Sequence, residues 1–168
     1  MKQLFCVDLK DYEENWPHSK RPSVRGIIWK ENKLAMVHSK KYDYYKFPGG
    51  GIEGEEAHEA TLIREVKEET GLTLKKYAYR GFITFVSNQW GTEYMHLFTA
   101  TEYEGEIKEC DEGNLEWVPK SRIQELNLWE GDKIFFRLLA EDAGFFTLKL
   151  CYDEDRLISY DIRRYEKE

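Results

Sequence analysis

The sequence predicts an α+β fold, or a sandwich built around a mixed β-sheet, and three observations support this prediction. Hydrophobic residues make up 41% and aromatic residues 15% of the 168 residues, which is typical of a globular domain with a sizeable core. Alternating apolar stretches indicate several strands, and two stretches with a helical period lie among them. Because strands and helices do not alternate strictly as βαβ units, an all-parallel sheet is not expected.

The N-terminal half contains two predicted strands, one glycine-rich loop and one helix. The stretches RPSVRGIIWKEN and KLAMVHSKK are strand-like and meet near Asn32, where a hairpin turn fits. The stretch YYKFPGGGIEGEE is predicted to be a loop. A helix is expected from about Glu56 to Thr70, because apolar residues recur with its period and Gly71 suits its C-cap.

The C-terminal half predicts further strands and a second helix. The stretch YAYRGFITFVSNQWGTEYMHLFTATEY indicates two long antiparallel strands that turn near Trp90 and Gly91, and LEWV is a short strand. A short helix is expected from Pro119 to about Leu126, and DKIFFRLLAED has the pattern of a longer one. The final apolar stretches predict a hairpin that turns at Asp153 to Asp155.

These elements predict a single domain over residues 1–168, with 1–20 as an N-terminal extension and 144–165 as a C-terminal hairpin. The net charge of −7 and the pI near 5.3 argue against a binder of duplex nucleic acid, which needs a basic face. The three cysteines form no C-x-x-C pair, and no apolar run is long enough for a signal peptide or a membrane span. We therefore expect a cytoplasmic protein without membrane contact.

The stretch REVKEETG, which begins at Arg64, concentrates negative charge on one side of the predicted helix. At 100° per residue, Glu65, Glu68 and Glu69 lie within an arc of about 100°. Unpaired carboxylates in such a stripe repel one another and raise one another's pKa, and a hard divalent cation such as Mg²⁺ relieves that repulsion. The alternative is an ordinary acidic helix face in contact with solvent.

The glycine-rich loop before this helix favours the metal site and completes a known motif. Gly50, five residues, Glu56, seven residues and then REVKEETGL match every specified position of the Nudix box, so this chain resembles the Nudix family. The resemblance implies an α/β/α sandwich with a mixed sheet and a Mg²⁺-dependent pyrophosphohydrolase, with Mn²⁺ as an alternative ion. It also implies roles for individual residues: metal ligation by Glu65, Glu68, Glu69 and the Gly49 carbonyl, base catalysis by Glu65, and support of helix and loop by Arg64, Glu56 and Gly50.

The family often adds one carboxylate from a loop before a later strand. In this chain ECDEGNLEWV supplies Asp111 and Glu112, and the resemblance favours Glu112 as a metal ligand. The alternative is that both are solvated loop acids.

The C-terminal third resembles MutT-like enzymes of the human type, which hydrolyse oxidised purine nucleoside triphosphates such as 8-oxo-dGTP. In those enzymes a W-x-x-D stretch binds the base, and here it consists of Trp129 and Asp132. Alternatively, Asp132 is the N-cap of the second helix, with Trp129 packed against it. Lys46 stands where those enzymes carry an asparagine and is a further candidate for substrate binding. Gly131 stands where they carry a second aspartate.

The resemblance therefore implies hydrolysis of a nucleoside triphosphate to the monophosphate and pyrophosphate, with a small nucleotide as the partner. A substrate of the ADP-ribose type, or another nucleoside diphosphate derivative, is the alternative within the enzyme class. A nucleotide-sensing module without turnover is the alternative outside it, although a pure binder has no need for all four box glutamates. The sequence leaves open whether the chain forms a homodimer.

Overall fold

The structure, a computed structural model, describes residues 20–39, 41–108 and 113–165, and within them it confirms an α+β fold with a mixed sheet. The strands are Lys20–Lys30 (β1), Lys33–Ser39 (β2), Tyr44–Lys46 (β3), Thr73–Ser87 (β4), Gly91–Glu104 (β5), Asn114–Pro119 (β6), Phe145–Asp153 (β7) and Arg156–Tyr165 (β8). The helices are His58–Thr70 (α1) and Glu130–Ala140 (α2), with a 3₁₀ helix over Lys120–Glu125.

The strands lie in the order β3-β2-β1-β5-β4-β7-β8, with β6 added beside β2. The pairs β1–β5 and β4–β7 are parallel and the other pairs are antiparallel. Strand β1 pairs with β5 along most of its length and with β2 only at its end, from Trp29 to Lys30. It therefore links the sheet's two halves, and the loop before α1 lies against it.

Each face of the sheet carries one helix and one hydrophobic core. On one face, Leu62 and Val66 of α1 pack with Val24 and Ile28 of β1 and with Phe98 of β5. On the other, α2 contributes a buried set that packs on the inner residues of β1, β4, β5 and β7; the α2 residues are Phe135, Phe136, Leu138 and Leu139. This arrangement is the expected α/β/α sandwich.

The predicted turns and helix ends follow from local backbone preferences. The β1–β2 turn contains Glu31 at φ 53°, and the β7–β8 turn contains Glu154 at φ 56°. Gly71 adopts the left-handed conformation at φ 81° and donates its N–H to the Lys67 carbonyl, so it is the C-cap of α1 as predicted.

Three predicted element assignments differ from the structure. The stretch predicted as loop begins with a strand, β3, which pairs with β2 from Val37 to Ser39. A three-residue strand shows no alternation of its own, so only its partner reveals it. Helix α1 begins at His58 instead of about Glu56, and the short helix predicted from Pro119 is a 3₁₀ helix over Lys120–Glu125.

Among the described residues, no helix has the length and apolar character that crossing a membrane requires. The predicted N-terminal extension lies outside the described residues except at Lys20, and the single-domain division over 1–168 stays a prediction.

Candidate active site

The glycine-rich loop before α1 is fixed by backbone hydrogen bonds to β1. The Val24 N–H donates to the Gly50 carbonyl at 2.9 Å, and the Gly26 N–H donates to the Pro48 carbonyl at 2.7 Å. Phe47, at the start of the loop, is buried against Phe135 of α2. The loop therefore has a defined path between the sheet and the end of α1.

Glu69, in the last turn of α1, is buried beneath this loop with only 6% of its surface exposed. Its Oε1 accepts from the Lys46 ammonium and its Oε2 from the Gly49 N–H, both at 2.8 Å. Gly49 has φ 145°, and a side chain there would overlap the Val24 carbonyl, so the amide reaches the carboxylate only because the residue is glycine. Both oxygens of Glu69 are thus bonded by the segment that opens the loop.

Arg64 organises the remaining glutamates. Its Nη1 donates to Glu65 at 2.7 Å and lies 3.4 Å from Glu68, while its Nε and Nη2 form a fork on Glu56 at 3.1 and 2.8 Å. Hydrogen bonds from Arg64, and secondly from Thr61, hold the pKa of Glu56 at about 2. Glu56 is therefore ionised at neutral pH and ties the end of the loop to the middle of α1.

These contacts change the expected electrostatics of the acidic stripe. The sequence predicts three mutually repelling carboxylates, but the chain supplies cations of its own: Arg64 lies against Glu65 and Glu68, and Lys46 lies against Glu69. The repulsion expected among unpaired carboxylates is therefore relieved in the metal-free protein by ion pairs, of which the one between Lys46 and Glu69 was not predicted. That pair has no local signal, because Lys46 lies 23 residues from Glu69 and belongs to a strand that the sequence did not indicate.

The donor set fits a hard divalent cation. It consists of carboxylate oxygens, and an ammonium already sits against the least exposed of them. The Glu65 carboxylate lies directly over Gly50, where any added side chain would overlap it. Within residues 20–39, 41–108 and 113–165, no three His, Cys, Asp or Glu side chains are grouped so as to hold one ion in this conformation. Glu112, the expected metal ligand from outside the Nudix box, and Asp111 lie outside the described residues.

Trp129 and Asp132 lie at the start of α2, on the face of the sheet opposite α1. Trp129 packs edge-on against Phe85 of β4 and Tyr152 of β7, with ring centroids 5.6 and 5.1 Å apart. Helix α2 begins at Glu130, so Asp132 falls inside its first turn and caps nothing. The alternative that Asp132 is the N-cap is therefore wrong.

The Asp132 carboxyl group has an unusual environment. Burial raises its pKa to about 7, the nearby Arg25 opposes that rise, and Glu93 adds to it. No hydrogen bond to this carboxyl group is present among the described residues. With a pKa near 7, this carboxyl group is present in both its neutral and its charged form at neutral pH. It can therefore donate or accept a hydrogen bond, which suits recognition of the polar groups of a ligand.

Two contacts near Asp132 have no signal in the sequence. Arg25 of β1 and Glu93 of β5 form a half-buried ion pair at 3.0 Å, and they are 68 residues apart with no local pattern that links them. The Tyr152 hydroxyl accepts from the Gly131 N–H at 2.8 Å, and a side chain at Gly131 would overlap Leu150. The glycine that stands in place of a second aspartate thus leaves room for the buried Leu150 side chain.

Comparisons with known proteins agree with this geometry. The family model described as NUDIX domain matches residues 19–139. The chain is 27% identical over 143 residues to the uncharacterized Nudix hydrolase YvcI of Bacillus subtilis. The matched region covers 80% of this chain and 89% of that protein. It is 30% identical over 120 residues to the oxidized purine nucleoside triphosphate hydrolase of Danio rerio, covering 70% of this chain and 76% of that protein.

The chain is also similar to an ADP-ribose pyrophosphatase over a short stretch and to a solved MutT structure over most of its length. The ADP-ribose pyrophosphatase of Methanocaldococcus jannaschii is 41% identical over 56 residues, which are 32% of this chain and 33% of that protein. The crystal structure of the mMutator MutT protein from Bacillus halodurans superposes with a TM-score of 0.79 at 28% identity, covering 84% of this chain and 97% of that one. The chain therefore belongs to the Nudix family and is a hydrolase of that family.

Proposed function

We propose that this Nudix hydrolase cleaves a nucleoside triphosphate that carries an oxidised purine, such as 8-oxo-dGTP, into the monophosphate and pyrophosphate. The observation that carries the proposal is the Asp132 carboxyl group, whose pKa burial raises to about 7, in the first turn of the helix that Trp129 precedes. Both lie at the N-terminus of α2, on the face of the sheet opposite α1 and its acidic stripe. The similarity to the Danio rerio hydrolase supports the same substrate class.

In this proposal the two parts of the substrate contact different elements. The Trp129 ring stacks on the purine and Asp132 bonds its edge, because an aromatic face holds any base while a carboxyl group reads donors and acceptors. Lys46 opens the loop and contributes a positive charge toward the phosphates. Lys46 and the box glutamates lie beside the loop's glycine amides, where anions and cations can be held together.

Nudix hydrolases generally use divalent metal ions, and we propose Mg²⁺ here, with Mn²⁺ as an alternative ion. Glu65, Glu68, Glu69, the Gly49 carbonyl and Glu112 are the proposed ligands. When bound, the ion neutralises diphosphate oxygens and lowers the pKa of a bound water. Glu65 is the proposed base, and Arg64 positions it through the 2.7 Å contact to its carboxylate. Glu56 and Gly50 are proposed to hold the loop in place against α1.

A hydrolysis screen with Mg²⁺ tests the substrate class. The candidates are 8-oxo-dGTP, dGTP, ADP-ribose and dinucleoside polyphosphates, and we expect the highest kcat/KM with 8-oxo-dGTP and pyrophosphate as product. Release of inorganic phosphate, or a preference for ADP-ribose, contradicts the proposal. The latter outcome favours the second candidate, for which the short match to the ADP-ribose pyrophosphatase is the supporting observation.

Two variants of the loop before β6 test the proposed metal ligand that lies outside the Nudix box. Glu112→Gln is expected to weaken the dependence of turnover on Mg²⁺ concentration, whereas Asp111→Asn is expected to have little effect. The reverse result assigns the ligand to Asp111 and leaves the remaining ligands unchanged.

A further inference from the structure

We infer that Lys46 is a built-in counter-ion of the metal site, which holds the cation position on Glu69 until a divalent ion displaces it. This inference rests on the proposed metal site and assigns Lys46 a role beyond contact with the substrate. The geometry that supports it is the 2.8 Å contact between the Lys46 ammonium and Oε1 of a carboxylate that is 6% exposed.

Burial explains why Glu69 needs a cation in the metal-free protein. An ionised carboxylate in a nearly closed site is costly unless it is paired and hydrogen-bonded. The Gly49 N–H bonds Oε2 at 2.8 Å but carries no net charge, whereas the Lys46 ammonium places a full positive charge against Oε1. The other two glutamates of the stripe lie against Arg64 instead.

The two partners of Glu69 respond differently to an incoming divalent ion. A carboxylate oxygen has two lone pairs, so Oε2 can keep the Gly49 N–H while the same group ligates metal. The ammonium cannot stay, because it would share Oε1 with a doubly charged ion at short range. Lys46 is the last residue of β3, and its ammonium is carried on a flexible four-carbon side chain whose rotation can move it away from Oε1. Metal binding therefore competes with an internal ion pair.

The competition predicts that removing the positive charge strengthens metal binding. Lys46→Met and Lys46→Gln should each bind Mn²⁺ or Mg²⁺ alone about tenfold more tightly than wild type, as measured by calorimetry and by electron paramagnetic resonance of free Mn²⁺. Lys46→Arg keeps the charge and should stay within about twofold of wild type. Lys76→Met is the matched control, because Lys76 is an exposed lysine that pairs with Glu102 away from the loop.

Thermal unfolding gives a second readout that is independent of turnover. Without metal, Lys46→Met should unfold at a lower temperature than wild type, because the buried Glu69 carboxylate then loses the ammonium bonded to its Oε1. Saturating Mn²⁺ should narrow that difference, so the metal-induced rise in Tm is larger in the variant. Lys46→Gln retains a hydrogen-bond donor and serves if Lys46→Met does not fold.

The outcomes separate this inference from the proposed function. If wild type binds neither ion, the metal site itself fails. If wild type binds metal but folded Lys46→Met and Lys46→Gln bind it with unchanged or weaker affinity, Lys46 is not a competing counter-ion, and the inference is overturned.

Discussion

Asp132 gives the molecule a pH dependence that a single substitution can remove. Its pKa is raised in the folded state from 3.8 to about 7 by burial, against the opposing effect of Arg25. The neutral form is therefore favoured by folding, and its contribution to stability is complete below about pH 4 and is lost as the pH rises through about 7. We expect Asp132→Asn to match wild type in urea unfolding at pH 4 and to be more stable by about 2 kcal/mol at pH 8. Parallel stability curves from pH 4 to 8 would contradict the burial of this carboxyl group.

Substitutions at Trp129 and at Asp132 are expected to have different effects, on overall kcat/KM and on selectivity between purines respectively. Trp129→Ala should lower kcat/KM by roughly ten- to a hundredfold for every purine substrate, because a stacking surface contributes about 1–3 kcal/mol per base. Asp132→Asn should instead change the ratio of kcat/KM between 8-oxo-dGTP and dGTP, because it alters donors and acceptors while leaving the ring in place. Unchanged relative rates in both folded variants would remove the oxidised-purine assignment and leave the Nudix assignment intact.

At Glu69 the structure reverses the expectation for stability. A stripe of repelling charges predicts that Glu69→Gln is neutral or stabilising without metal, but the carboxylate is buried and bonded to Lys46. We expect Glu69→Gln to lower metal-free stability by about 1–3 kcal/mol, since the ion pair between its buried carboxylate and the Lys46 ammonium is lost. Turnover with Mg²⁺ should fall about a hundredfold or more.

Glu68→Gln is the matched control for the stability effect, because the side chain of Glu68 is 63% exposed. Its metal-free stability should stay within about 0.5 kcal/mol of wild type. Near-normal turnover of Glu69→Gln would exclude Glu69 as a metal ligand, whatever its effect on stability.

At the scale of the loop and α1, the glycines have separable roles. An alanine at Gly50 would place its methyl group on the Glu65 carboxylate, a flexible end that can move, whereas at Gly51 the nearest atom is Arg21 Nε at 3.7 Å. Gly50→Ala should therefore fold with near-normal stability but lose about a hundredfold in kcat, because Glu65 is displaced. Gly51→Ala should retain both properties. Equal kcat values for the two variants would show that the position of Glu65 does not limit turnover.

The elements themselves were largely predictable, because their signals are local. The period of α1, its Gly71 cap and the alternation of β4, β5, β7 and β8 are each contained in a short stretch of sequence. The stripe of Glu65, Glu68 and Glu69 follows from helix geometry alone. The Nudix box then gave candidate roles that periodicity cannot supply.

What remained hidden were contacts between distant segments. Lys46 meets Glu69 only because β3 adds to the edge of β2, and three residues are too few for a strand pattern. Arg25 meets Glu93 only because β1 and β5 run parallel, a pairing with no sequence signal at either strand. Parallel pairing and edge addition are decided by the assembled sheet, so the electrostatics of the site could not be read from the chain.

On the scale of the whole molecule, the C-terminal hairpin is part of the core although it lies outside the family match at residues 19–139. Strand β7 pairs in parallel with β4, and Leu148 is 1% exposed within the core beneath α2. Leu148→Ala should lower the free energy of unfolding by about 2–5 kcal/mol, because it leaves a cavity there.

Ile158→Ala on β8 is the matched control, since Ile158 is 54% exposed, and its effect should stay within about 0.5 kcal/mol. Urea unfolding followed by circular dichroism measures both variants. Similar small effects would mean that the hairpin is an appendage instead of a layer of the core.

The hydrogen bonds between the glycine-rich loop and β1 also determine whether the loop loses its conformational entropy during folding or during ligand binding. Fixing one residue's backbone costs about 1–2 kcal/mol of conformational entropy, and glycines lose the most. Because Gly50 and Pro48 are already bonded to Val24 and Gly26, that loss occurs during folding. A ligand that binds at the loop therefore orders little additional protein backbone, so the loop's own entropy contributes little to the cost of binding.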